Sequence, residues 1–373
     1  MVPRRRATRA GLFAAVAALP FALAYRFALV YRVRAGYPHR HPPAWTPEAV
    51  GLAWEDVEVP SSDRLRLAGW YIRAGDTRAP GVVLIHGWES ARDRTLPQAQ
   101  VLHAAGFHVL TIDVRGHGAN GPEALPLSVG EFAADARAAA AWLRARPEVS
   151  GVALLGHSMG AAGSLVATAD DPDIRAVVAV SGPADPWRLT RQTFRLASLP
   201  IPGPIAWPLA WLTTLVDLRP RGHTIASVSA TRAVRDIAVP VLLAHGSDDG
   251  VVPVSHLGRL AAARRAARPG AVTETIVVPG GRHSWLYEDP PYRAAVIGFL
   301  ARSLGSPFAP DEAAAIAVAT AAQRLPDPER LQTLDETPGG LRSLALLLRH
   351  PRRRSPAPAP ATEPPVPDPA STP

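Results

Sequence analysis

Between Trp54 and Leu304, short runs rich in Val, Ile and Leu alternate with alanine-rich stretches of helical length. That alternation constrains the fold more than any other feature. Parallel strands cannot be joined by tight hairpins and need a crossover, normally a helix. Strict alternation therefore implies a mostly parallel sheet with helices on both faces. The pattern predicts eight strands, at 54–59, 65–73, 81–86, 108–114, 152–156, 175–180, 239–244 and 275–278. Helices are expected near 96–105, 128–146, 159–169, 253–267 and 291–304. The first two strands follow one another with no helix between them, so that edge is expected to be an antiparallel hairpin.

The alternation breaks over 183–238, after the sixth strand. This insertion holds LPIPGPIAWPLAWLTTLV (199–216), which is apolar enough to suggest a membrane span. It is too short for one, and Pro202, Pro204 and Pro208 are expected to break it. A cap over a pocket is the better reading, with Trp187, Trp207 and Trp211 as candidates to line an acyl site. Residues 52–305 thus form the main domain. Residues 37–51 form a proline-rich linker before it, and 306–350 a helical extension (near 311–323 and 341–349) after it. The Pro/Ala-rich tail 351–373 lacks the apolar content to build a core and is expected to be disordered.

Residues 1–36 place arginines 4, 5, 6 and 9 before an apolar run from Gly11 to Tyr25 that resumes after Arg26. Gly11 to Val30 is about the 20 residues a bilayer core requires, which fits a retained membrane anchor and a membrane-associated protein. A cleaved signal peptide, with Ala22 and Ala24 before the cut and export of the rest, fits the same basic start. A helix lying on the membrane surface is a third reading.

The net charge of +8 is entirely terminal: residues 1–40 carry +8, 341–373 carry +3 and the body carries −3. Basic ends on a mildly acidic body suit anionic lipid head groups and argue against a nucleic-acid partner. The absence of cysteine excludes disulfides, thiolate metal sites and a cysteine nucleophile. None of the 12 histidines forms a spaced ligand set with carboxylates, so no metal and no cofactor is expected.

Five segments carry chemistry. The strand at 152–156 runs into GHSMG and a small-residue helix follows, the setting in which a tight turn lifts Ser158 out of the sheet. Gly156 and Gly160 are expected where a side chain would strike a neighbouring strand or helix. VVLIHGWESARD ends the third strand, making the backbone N–H groups of Trp88 and Met159 candidates for an oxyanion hole. His86 is read as holding that loop. PVLLAHGSDDGVVP supplies Asp249, preferred over Asp248, beyond the end of another strand. IVVPGGRHSW supplies His283, an imidazole able to take the serine proton and pass it to a leaving group. In TIDVRGHGANG, Asp113 and Arg115 are expected to pin the loop, with His117 structural.

Taken in order, H-G-x, D-x-R-G-H-G, G-H-S-M-G, H-G-x-x-D-x-x-V-P and G-x-x-H resemble the serine hydrolases of the α/β-hydrolase superfamily over residues 52–305. The resemblance implies a Ser158–His283–Asp249 triad, a covalent acyl-enzyme and an oxyanion hole from Trp88 and Met159. It implies hydrolysis of a small-molecule carboxylic ester or thioester, and the cap suggests an apolar acyl group. A membrane-tethered serine peptidase or acyltransferase, or a non-catalytic binding protein on the same fold, are the alternatives.

Overall fold

The eight strands form one sheet in the order β1 (Glu55–Pro60), β2 (Arg66–Ile72), β4 (His108–Ile112), β3 (Ala79–Ile85), β5 (Val149–His157), β6 (Ile174–Val180), β7 (Val241–Gly246) and β8 (Thr273–Val278). The computed structural model describes residues 3–75, 77–196 and 199–326, with 3–15 as backbone. β1 pairs antiparallel with β2, as the missing helix implied, and β2 pairs antiparallel with β4. All other pairings are parallel. Every residue of β3 and β4 is buried, so these strands read as continuous apolar runs rather than alternating ones.

Helices α2 (Leu96–Ala104), α9 (Pro290–Leu304) and α10 (Pro310–Ala319) cover one face of the sheet. Helices α3 (Val129–Arg144), α4 (Met159–Asp170), α7 (Ala230–Asp236) and α8 (Ser255–Ala267) cover the other. α3 starts on a capping box: Gly130 N–H donates to Ser128 Oγ, and Ser128 N–H to Glu131.

The insertion after β6 contains α5 (Pro186–Leu196), α6 (Gly203–Leu218) and α7. The prolines do not break it. Pro202 sits at the cap of α6 and Pro204 in its first turn, where a missing N–H costs nothing. Pro208 lies inside the helix, which continues to Leu218 at the loss of a single backbone bond.

Segments on either side of the main domain lie against it. Segment 37–51, read as a linker, is held where Ala44 N–H donates to Asp93 (2.7 Å) and Trp45 Nε1–H to the Pro326 carbonyl (2.8 Å). α10 extends the packed structure beyond 305: Ala313 and Ala317 are buried, and the Arg293 guanidinium donates to the Ala317 and Val318 carbonyls at its C-terminal end. Segments 341–349 and 351–373 lie outside the described residues. The N-terminal helix α1 (Pro3–Ala35) packs its last turns along α6.

Candidate active site

Ser158 occupies the junction of β5 and α4 with φ 55° and ψ −118°. A serine adopts such a conformation only when its surroundings impose it. The imposing contacts are backbone. A Cβ on Gly156 would lie 2.2 Å from the Gly160 carbonyl oxygen, and one on Gly160 would lie 2.4 Å from the carbonyls of Ile85 and His86. α4 can therefore approach β5 and β3 only with glycine at both places. The turn delivers Ser158 Oγ beyond the carboxyl ends of the strands, with the N-terminus of α4 behind it.

Two loops bring the other predicted residues to the serine. His283 follows β8 and its Nε2 lies 3.0 Å from Ser158 Oγ, while its Nδ1 lies 2.8 Å from Asp249 Oδ2. Asp249 follows β7, and its Oδ1 accepts the N–H groups of Val251 (2.9 Å) and Val252 (2.8 Å). Burial alone would raise the Asp249 carboxyl, but hydrogen bonds from His245 and His283 outweigh it and hold the group well below the usual carboxylate range. Asp248 instead turns outward, accepting a hydrogen bond from its neighbour Ser247.

Two histidines that the sequence reading passed over support this arrangement. His157 donates from Nε2 to the His283 carbonyl (2.8 Å), and the two rings lie 4.9 Å apart. Burial, reinforced by nearby His283, pushes His157 down to about 3, so it stays neutral. His245, fully buried at the end of β7, lies 3.1 Å from Asp249 Oδ2 and 2.7 Å from the Val252 carbonyl. A histidine directly before the serine, and another in the strand leading to the acid, were the available signals.

Trp88 and Met159 both line the cavity in front of the serine, and neither backbone N–H has an acceptor among the described residues. The loop carrying Trp88 is held by His86, which donates from Nδ1 to the Gly87 carbonyl and accepts the Val114 N–H at Nε2 (3.0 Å). The adjoining loop is pinned by buried charge pairs. Asp113 accepts from the Arg92 guanidinium (2.8 Å) and from Ala119 N–H, while Arg115 is bonded to Asp135 (2.6 Å). His117 is buried against His86 and Phe132.

The cavity measures about 380 Å³, the size of a small-ligand site. Its floor is the serine and its flanking loops. Its wall includes Leu189, Thr190, Thr193 and Leu196 of α5, one helical face, with Leu218 of α6. Trp187, Trp207 and Trp211 do not line it, contrary to expectation. Trp207 and Trp211 are 37% and 46% exposed on the outside of the cap, where the α6 helical phase puts them. Trp88 and Trp285 are the indoles that face the cavity.

Tyr31, Arg34 and Ala35 at the end of α1 also line the cavity, as does Asp217. Burial pushes the Asp217 carboxyl up to about 7 against the opposing charge of Arg32, and its Oδ1 has no hydrogen-bond partner among the described residues. Among the described residues no cluster of His, Asp or Glu could hold a metal ion.

An eight-stranded sheet of this order, with a strained serine at the β5 turn, defines the class. The chain belongs to the α/β-hydrolase superfamily and is a hydrolase. Residues 77–217 match the family described as "Serine aminopeptidase, S33". An uncharacterized protein of Mycobacterium tuberculosis, Rv2307c, is 34% identical over 238 residues, 62% of this chain and 73% of that one. The lysophosphatidylserine lipase ABHD12 of Xenopus tropicalis is 27% identical over 262 residues, 67% of this chain and 63% of the lipase. Among solved structures, the Pyrococcus furiosus esterase Pf2001 matches with a TM-score of 0.58 at 24% identity, covering 72% of this chain and 98% of the esterase. At that identity the likeness speaks for the fold.

Proposed function

We propose that the chain is a serine esterase acting on carboxylic esters or thioesters with an apolar acyl group, through a covalent acyl-enzyme on Ser158. The observation that carries this is the unbroken relay from Ser158 Oγ through His283 to Asp249, opening on one cavity. In the acylation step Ser158 Oγ attacks the ester carbonyl as its proton passes to His283 Nε2. Ionised Asp249 orients the ring through Nδ1–H and stabilises the imidazolium. The carbonyl oxygen becomes an oxyanion facing the N–H groups of Trp88 and Met159. Collapse expels the alcohol or thiol, which takes the proton from His283 Nε2. Water then repeats the sequence, with His283 removing its proton and returning one to Ser158 Oγ.

The apolar wall of Leu189, Leu196 and Leu218 supports an acyl chain rather than a polar one. The activity named for the Xenopus relative, a lysophosphatidylserine lipase, is of the same kind. α1 is the one helix among the described residues that is long and apolar enough to cross a membrane, over Val16–Ala35. We read it as a retained anchor.

The test is turnover of p-nitrophenyl acetate, butyrate, octanoate and palmitate beside aminoacyl p-nitroanilides, using the full-length protein. Rising kcat/KM from acetate to octanoate is expected. No preference beyond acetate would remove the apolar-acyl reading, and turnover of the anilides alone would make the protein a peptidase.

A further inference from the structure

We propose that the outer face of α6 is seated in the lipid bilayer beside α1, which sets the cap and the wall of the cavity at the membrane surface. The inference rests on α1 being a membrane anchor and is independent of the chemistry at Ser158.

A hydrocarbon core of roughly 30 Å needs about 20 helical residues. α1 is exposed on every side from Val16 to Leu23, and its contact with the cap begins at Ala24, with Ala28 fully buried. The exposed stretch from Val16 to Leu23 is only about 12 Å long at about 1.5 Å per residue, and the helix from Gly11 to Leu23 only about 20 Å. The docked turns from Ala24 to Val30 must complete the span, so whatever packs against them lies at the same depth.

What packs there is α6. The Arg32 guanidinium donates to the Val216 carbonyl (3.3 Å), while Phe27 and Tyr31 join Ala210 and Phe194 in one apolar cluster. Later residues of α1 meet later residues of α6, so the helices run side by side in the same direction. Away from α1, α6 exposes Ile205 (57%), Trp207, Trp211 and Leu215 (43%). The last three recur every four residues and form a single stripe. Water is a poor partner for such a stripe. An interface suits it, because indole rings concentrate where hydrocarbon meets head groups.

The charge beside the stripe agrees. Arg191 lies 4.1 Å from the Trp207 ring centre and Arg188 lies 4.2 Å from that of Trp187. A guanidinium over the exposed Trp207 indole, with a second over the half-buried Trp187, is placed to meet lipid phosphates. Because Tyr31, Arg34 and Ala35 belong to the cavity wall, that wall sits at head-group level. An amphiphilic ester then reaches the cavity from the lipid without crossing bulk water.

The natural chain lacks cysteine, so one introduced thiol is unique. Full-length Trp211→Cys and, as control, Val272→Cys at the opposite end of the sheet would carry a nitroxide in nanodiscs of phosphatidylcholine and phosphatidylglycerol. Leu215→Cys gives an independent position if Trp211 cannot be replaced without loss of fold. Oxygen concentrates in lipid and a nickel chelate stays in water, so the ratio of their collision rates reports depth. The expected result is an oxygen-to-nickel ratio several-fold higher at 211 and 215 than at 272. A nickel-accessible label at 211 and 215 in chains that enter the discs would overturn the seating of α6 alone. A label shielded from both reagents would assign the stripe to a second copy or another segment of the chain. Failure of the chain to enter the discs would refute the anchor and the proposal with it. Labelling of Ser158 by a fluorophosphonate in the same samples reports separately on the hydrolase reading.

Discussion

His283 makes its contacts from opposite sides of one ring, and the account depends on that geometry surviving in solution. Asp249→Asn keeps the shape of the acid but offers an amide to Nδ1, which would favour the wrong tautomer. A loss of kcat of roughly 10⁴-fold is expected, with the fold intact by circular dichroism. His157 acts at one remove, as a positioning residue for the His283 backbone. His157→Leu should lower kcat by roughly 10-fold to 100-fold with KM little changed, and His157→Gln, which can still donate, should recover much of it. A uniform fall in stability with no kcat effect would reduce His157 to packing. His157 also has a pH signature. Its folded pKa, about 3, lies below the ordinary value near 6.5, so between those values the unfolded chain binds the extra proton. Stability contributed at pH 7 is therefore lost as pH falls below about 6.5, by up to about 1.4 kcal/mol per unit. The wild-type Tm should drop more steeply than that of His157→Gln between pH 7 and pH 5, and parallel profiles would contradict the assignment.

At the scale of elements, four of the eight strands each end in a loop that carries one candidate site residue: β3 leads to Trp88, β5 to Ser158, β7 to Asp249 and β8 to His283. That is why these residues were legible in the sequence, since each directly follows an apolar run whose period is local. The cap was less legible. Apolar side chains on α6 announce that something covers them, but periodicity does not say whether the cover is the cavity or the outside, and Trp207 and Trp211 took the outside. Tyr31 and Asp217 gave no signal because their place in the cavity depends on α1 meeting α6, a contact between distant parts of the chain. Two predictions belong here. Leu189→Trp should fill the α5 wall and cut octanoate turnover while sparing acetate; equal losses on both would move the acyl site elsewhere. Pro208→Ala restores a backbone donor inside α6 and should stabilise the protein by about 1 kcal/mol, read as a rise in Tm.

For the whole molecule, the alternation of strands and helices was enough to give the eight-stranded, mostly parallel sheet, because burying a parallel sheet on both faces leaves few other solutions. The stretch at 37–51 and the helix beyond 305 both touch the body, through contacts between distant parts of the chain that no local pattern announces. Proline removes a backbone donor and says little about whether a segment packs. The central claim, that Ser158 is a nucleophile activated by His283, is tested most directly by treating the full-length protein with a fluorophosphonate and locating the adduct by peptide mass mapping. The account predicts one phosphonyl group on Ser158, absent in Ser158→Ala and formed far more slowly in His283→Ala. A folded protein that leaves Ser158 unmodified, or an adduct elsewhere that persists in Ser158→Ala, would contradict it.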